Sequence, residues 1–408
     1  MWEQIRANKR RSIVVIGGMA CLLLVLGYAI GFAVGGNPGG QFGLMFAVGL
    51  WLLLMIVAVE SGSGLLLMSA KAEEIQHKEL PMLFNVVEEM TIAAGLPKRP
   101  KIYLMDTPMP NAFAVGTPEK SAVAVTTGLL SQLNRDELQG VIAHEIGHIH
   151  NHDTRFMTIA GVMVSAIVII AEAFSRSMFY VGRGSRRSSS RGGGGAQAVM
   201  VILAILMAIL APIAAHMLYF ACSRKREYLA DASAALFTRY PEGLASALVK
   251  IERGARGGPR PNRAVAPMYI INPLQGAAAS SLFSTHPPTE KRVRILRSMA
   301  GAGYDAYNSA FGQVMHERVL SGRSVAEASN IGVREPGPAA KEDGLTRARK
   351  AMDVLHKMGG LLFLTCVCGL KLKVPRQYEG KEVQCPACGK HLRVPSAKAE
   401  PSDSQTTA

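Results

Sequence analysis

Charge is scarce in this 408-residue chain: Asp, Glu, Lys and Arg make up 18% of it, against roughly 25% in an ordinary soluble domain. The deficit is local. Ser12 to Val59 is 48 residues without a formal charge, and Phe156 to Ala171 and Gly192 to Ser223 are also uncharged. A wholly soluble enzyme is therefore excluded. Cysteine is sparse too, with six residues. Cys21 and Cys222 fall in apolar runs, whereas Cys366, Cys368, Cys385 and Cys388 form two tight pairs. That spacing excludes a secreted disulfide scaffold and reads as metal ligation in a reducing compartment.

Acidic residues are also in short supply, 30 against 45 Lys and Arg, for a net charge of +15. From Lys250 onward the counts are 24 basic and 13 acidic, which places +11 of the excess there. Such a balance suits nucleic acid or an anionic membrane surface. With so much apolar sequence upstream, a lipid bilayer is the expected counter-charge.

Ile13 to Gly35 is apolar or small throughout, longer than the roughly 7 to 15 residues of a signal-peptide core. It reads as an anchor. A GNPGGQ turn over residues 36–41 leads to 18 further apolar residues, Phe42 to Val59, near the lower limit of about 17 for a spanning helix. Residues 1–68 thus predict a transmembrane hairpin. Arg6, Lys9, Arg10 and Arg11 flank its start and the turn carries no charge, which places the N-terminus in the cytoplasm and returns the chain there after two crossings.

Residues 69–153 have globular patterning. The spacing predicts a helix over 79–95, a strand over 101–106, a hairpin from 111–116 and 121–128, and a helix begun by an Asn134–Glu137 capping box. A second apolar pair, 156–171 and 198–215, lies within residues 154–222. The loop between them, 175–195, holds five arginines and no acid. Two full spans would put that loop outside, against the positive-inside tendency; a shallow hairpin would remove the conflict. Residues 223–325 are globular again, 326–358 read as a linker with a short basic helix, 359–396 form a cysteine module, and 397–408 a polar tail expected to be disordered. The fold class expected is a mainly α membrane protein with four apolar helices, an α+β domain carrying a small sheet, and a small C-terminal cysteine module.

His144, Glu145 and His148 form HExxH in LQGVIAHEIGHIH. Positions i and i+4 on a helix put both imidazoles on one face within reach of one zinc ion, with Glu145 beside the water it polarises. Such a water has its pKa lowered to about 7, and the carboxylate can take its proton. Leu138, Val141, Ile142, Ile146 and Ile149 form the helix's apolar stripe. His150 points to another face, and His152 lies about 12 Å along the axis from His144; both are expected at the surface. A catalytic zinc needs a third protein ligand. In SRKREYLADASA, Glu227 and Asp231 are also i and i+4. That spacing suits a zinc-binding Glu227 with Asp231 orienting a histidine, and equally a charged helix leaving the membrane.

The order of an N-terminal hairpin, NAFAVG, HEIGHIHNHD, a second apolar pair, SRKREYLADASA and THPPTEKRVRIL resembles the HtpX-type membrane zinc metalloproteases, relatives of the CaaX prenyl proteases, over roughly residues 1 to 320. The resemblance implies that Glu227 is the third ligand and that Asn111 and Ala112 lie on an edge strand where substrate adds. It implies that His286 and Arg292 steady the oxyanion. It further implies a multi-pass protein of the cell inner (plasma) membrane, its catalytic domain cytoplasmic, that hydrolyses membrane or misfolded proteins. Two features depart from the family pattern: the long basic loop at 175–195 and the cysteine module.

That module repeats itself. CGLKLKVP from Cys368 and CGKHLRVP from Cys388 are offset by 20 residues, so two knuckles of Cys366, Cys368, Cys385 and Cys388 can close one structural four-thiolate zinc site. So small a unit must draw its folding energy from metal. Two zinc ions are expected in all, one catalytic and one structural. The ribbon's cations permit nucleic acid, but aromatic residues for stacking are scarce; another protein is its expected partner. The alternative function is a catalytically inactive, membrane-tethered zinc-ribbon scaffold, against which the intact HExxH counts.

Overall fold

The computed structural model describes residues 2–184, 194–255, 269–270, 287–316, 331–337 and 343–395. Its first helix, α1 (Trp2–Glu60), is a hairpin, because Gly35 and Gly36 leave helical geometry and Gly36 takes φ 65°. Only a residue without a Cβ enters that turn freely. The two arms meet through Gly27, Gly31, Gly39 and Gly43, where a Cβ on Gly31 would lie 2.2 Å from the Gly39 carbonyl oxygen. The GxxxG spacing on each arm provides the close backbone approach on which helices in lipid depend.

Two further long helices, α6 (Asp153–Gly184) and α7 (Gly194–Thr238), pack with α1. Among the described residues, three segments are long and apolar enough to cross a membrane: Ser12–Glu60, Asp153–Arg176 and Val201–Thr238. Their common core sets Met19, Leu23 and Leu26 against Ile159, Met163, Ile167 and the small residues Ala204, Ala208, Ala211 and Ala215. The outward face is apolar as well, with Phe42, Met45, Phe46, Leu53, Ile56, Ile202 and Ile209 exposed. A belt of that extent calls for lipid.

Between the membrane segments lies the α+β part. A short α2 (Gly62–Ser69) and β1 (Glu73–Glu74) lead to α3 (Pro81–Ala93), β2 (Lys101–Met105), β3 (Ala112–Thr117) and β4 (Lys120–Thr126). The sheet order is β1-β2-β4-β3, with β2 and β4 parallel and the other pairs antiparallel, which leaves β3 at one edge. After α4 (Thr127–Gln132) comes α5 (Arg135–His150), begun by the expected capping box: Glu137 N–H donates to Asn134 Oδ1 at 2.9 Å and Asn134 N–H to Glu137 Oε2 at 2.8 Å. Leu138, Val141, Ile142, Ile146 and Ile149 are all buried. They join one core with α3, the C-terminal end of α7, α8 (Pro241–Ala255), α9 (Thr289–Arg297) and α10 (Tyr304–Met315).

The stretch expected as a linker is partly structural. Arg334 donates to Asp136 Oδ1 and Gln139 Oε1, each at 2.7 Å, and so straps residues 331–337 to the start of α5. Helix α11 (Gly344–Met358) buries Ala351, Val354 and Leu355 in the same core, and buried Arg347 donates to the carbonyls of Leu130 and Leu133. The cysteine module follows as two hairpins, β5 (Leu361–Thr365) with β6 (Lys371–Pro375) and β7 (Glu382–Gln384) with β8 (His391–Arg393). Lys373 reaches back to Asp353 of α11 at 3.3 Å.

Candidate active site and metal centres

α5 carries His144, Glu145 and His148, and α7 passes from its apolar run directly into Glu227 and Asp231. The helices can meet closely because Gly147 faces Ala230 and Ser233, where a Cβ would stand 3.2–3.5 Å from its neighbours. His144, Glu145, Glu227 and Asp231 are buried, and His148 keeps 14% of its side-chain surface.

The Nε2 atoms of His144 and His148 are 3.2 Å apart; Glu227 Oε2 is 3.5 Å from the first and Glu227 Oε1 3.4 Å from the second. Three donors at about 2.0–2.1 Å from a tetrahedral zinc would be about 3.3 Å from one another, so the donor set fits the ion. A shared cation would satisfy both imidazole nitrogens and the carboxylate at once. Burial opposes charge on His148, but its hydrogen bonds to Asp153 and Glu227 prevail and raise its pKa to about 10. The same field draws a metal cation.

Asp231 Oδ1 is 3.0 Å from His144 Nδ1. Arg292, 1% exposed, donates through Nε to Asp231 Oδ2 at 2.9 Å and through Nη2 to Asp231 Oδ1 at 2.6 Å. Its Nη1 donates to the Ile270 carbonyl at 3.2 Å and stands 3.5 Å from Glu227 Oε2. These contacts tie Arg292 to Asp231 and set it beside Glu227. His286 lies outside the described residues. Of the other two histidines, His152 is exposed as expected. His150 is half-buried edge-on against Phe237, and burial lowers its pKa.

Asn111 is fully buried and pairs with Thr126, its N–H donating to Oγ1 at 2.9 Å and its carbonyl accepting the Thr126 N–H at 3.1 Å. Ala112 begins the edge strand, and its outward carbonyl accepts the Ile270 N–H at 3.2 Å. Further along that edge Gly116 O accepts from Thr154. The sequence reading missed Asp153, whose Oδ2 is 3.3 Å from His148 Nδ1. The signal lay in HNHD: His152 takes φ 59°, a left-handed turn that brings the next residue back toward the zinc face.

The four cysteines converge as their repeat predicts. Gly369 at φ 87° and Gly389 at φ 71° turn matching knuckles, in which Cys366 N–H donates to Leu370 O and Cys385 N–H to Lys390 O. Cys366 Sγ and Cys388 Sγ are 3.4 Å apart, Cys368 Sγ and Cys385 Sγ 3.7 Å. Zn–S bonds of about 2.3 Å give tetrahedral S···S separations of about 3.8 Å. Backbone N–H groups of Ala387 and Cys388 bring the Cys385 thiol down to about 7, toward the thiolate that metal requires.

The sequence matches the Peptidase family M48 over residues 77–300. It is 47% identical over 299 residues to a protease HtpX homolog of Dictyoglomus turgidum, covering 73% of this chain and 94% of that one. A protease HtpX homolog of Listeria monocytogenes is 43% identical over 306 residues, covering 73% of this chain and all of that one. Ste24p of S. mikatae aligns at a TM-score of 0.40 and 19% identity over 72% of this chain and 67% of its own. The cysteine module lies beyond the matched family region. This chain is a metalloprotease of peptidase family M48 and groups with the HtpX homologues.

Proposed function

We propose that the protein is a zinc-dependent endopeptidase of the inner membrane that hydrolyses membrane or misfolded proteins at the cytoplasmic face. The observation that carries this reading is the triangle of His144, His148 and Glu227 donors, 3.2–3.5 Å on a side, with Glu145 on the same helical turn. When bound, zinc supplies Lewis acidity to an attacking water and to the scissile carbonyl. Glu145 takes the proton of that water and delivers it to the leaving amide nitrogen. Asp231 fixes the His144 ring, and Arg292 fixes Asp231. Extended substrate adds along β3 at Ala114, which by alternation shares the outward edge with Ala112 and Gly116, whose carbonyls are taken by Ile270 N–H and Thr154.

The two arms of α1, with α6 and α7, make four crossings. The cluster Arg6, Lys9, Arg10 and Arg11 and the run Arg224–Arg226 beside Glu227 put the N-terminus and the zinc site on the cytoplasmic side. A second, structural zinc in the cysteine module steadies a protein-docking arm held against α11. The test is purified protein in detergent with casein. Cleavage that stops with a chelator and returns with zinc supports the reading; a metal-replete protein that never cuts favours the scaffold.

A further inference from the structure

We propose that Asp153 is the positioning residue for the metal ligand His148, and that Arg226 braces Asp153 against the first membrane helix at Ser12. The proposal rests on the zinc-peptidase reading above; it assigns roles to Asp153 and Ser12, which that reading does not use, and a second role to Arg226.

Asp153 is fully buried at the start of α6. One carboxylate oxygen, Oδ2, is 3.3 Å from His148 Nδ1, and the other, Oδ1, accepts from Arg226 Nη1 at 2.9 Å. A carboxylate on Nδ1–H fixes the tautomer that leaves the Nε2 lone pair for metal and raises its basicity. Arg226 is 2% exposed, has its Cζ 3.9 Å from the centre of the Phe156 ring, and donates through Nη2 to Ser12 Oγ. It is also the residue next to the ligand Glu227, so α7 presents a ligand and a brace in succession.

The arrangement repeats on the other histidine. His144 Nδ1 has Asp231 at 3.0 Å, and behind Asp231 stands the buried guanidinium of Arg292. Each zinc histidine thus has its own carboxylate and each carboxylate its own arginine. The two arms differ in where they end: Arg292 on the Ile270 carbonyl, Arg226 on Ser12, where the uncharged run of α1 begins. The position of the membrane hairpin is thereby linked to the orientation of His148.

The test uses the full chain in detergent. Cobalt(II) is the probe, because an imidazole–carboxylate site lacks the thiolate charge-transfer absorption of the cysteine module and the two sites can be titrated separately. Asp153→Asn should bind cobalt and zinc at the histidine site 10–100-fold more weakly. The double variant Asp153→Asn/Arg226→Met, which leaves no buried arginine unpaired, should show the same loss of affinity while its metal-free melting temperature returns toward that of the parent. Ser12→Ala should weaken metal binding several-fold in the parent and have no effect in the Asp153→Asn background. Unchanged affinity in Asp153→Asn overturns the positioning role. An unaltered Ser12→Ala overturns the brace. A parent chain that binds metal only through its cysteines overturns the zinc-peptidase reading itself, a result distinct from either.

Discussion

Arg292 grips Asp231 through two parallel hydrogen bonds, Nε to Oδ2 at 2.9 Å and Nη2 to Oδ1 at 2.6 Å, with both side chains out of solvent. The pair fixes the carboxylate plane, and with it the His144 ring. Removing one partner of such a buried pair strands the other charge and costs about 3–5 kcal/mol. Arg292→Met should therefore lower the thermal unfolding midpoint in detergent by far more than a surface substitution does. Arg292→Lys, which keeps the charge but cannot form the fork, should fall between Met and the parent.

Glu227 and Asp231 share a helix one turn apart, and the proposed site gives them different tasks. Glu227→Ala removes a donor and should empty the histidine site at zinc concentrations that fill the parent. Asp231→Ala leaves the donors in place and should weaken zinc binding by about 10–100-fold. Zinc content measured with the four cysteines replaced separates the two; full occupancy in Glu227→Ala would mean that another residue ligates.

The catalytic helix was legible because its signals are local. The Asn134–Glu137 box, the apolar stripe and the i, i+4 histidines all follow from the geometry of a single helix, and the structure places α5 at 135–150 as they require. The cysteine repeat was legible for the same reason, since each knuckle turns on its own glycine. The Asp153–Arg226–Ser12 contact joins residues more than 200 positions apart, and no periodicity signals it. Helix α11 was read as a short basic helix. Its docking was hidden because Arg347 buries itself on carbonyls of Leu130 and Leu133 that only the folded α4 leaves available.

The hairpin of α1 depends on glycine more than on hydrophobicity. A Cβ on Gly31 would meet the Gly39 carbonyl oxygen at 2.2 Å and leave no room for a side chain. Gly31→Leu should separate the arms and cost about 1–3 kcal/mol or more, whereas Gly49→Leu, where nothing lies within 4 Å, should be tolerated. Comparing the thermal unfolding of the two variants in detergent checks this; equal stability would show that the arms do not pack as described.

The cysteine module should hold its metal independently of the protease. Cys385→Ser should remove about one zinc per chain, since four-thiolate closure needs every ligand, and should leave casein cleavage close to the parent rate. Loss of cleavage with the histidine-site zinc still bound would make the module part of the catalytic machinery.

In the proposed mechanism Glu145 is the general base beside a zinc held by His144, His148 and Glu227. Zinc content and casein cleavage in Glu145→Gln, determined on the same preparation, test this pairing of roles. Zinc should equal that of the parent while the cleavage rate falls by several orders of magnitude, because proton transfer and the stabilising charge are lost together. Glu145→Gln that cuts at the parental rate with its zinc in place would show that Glu145 is not the base.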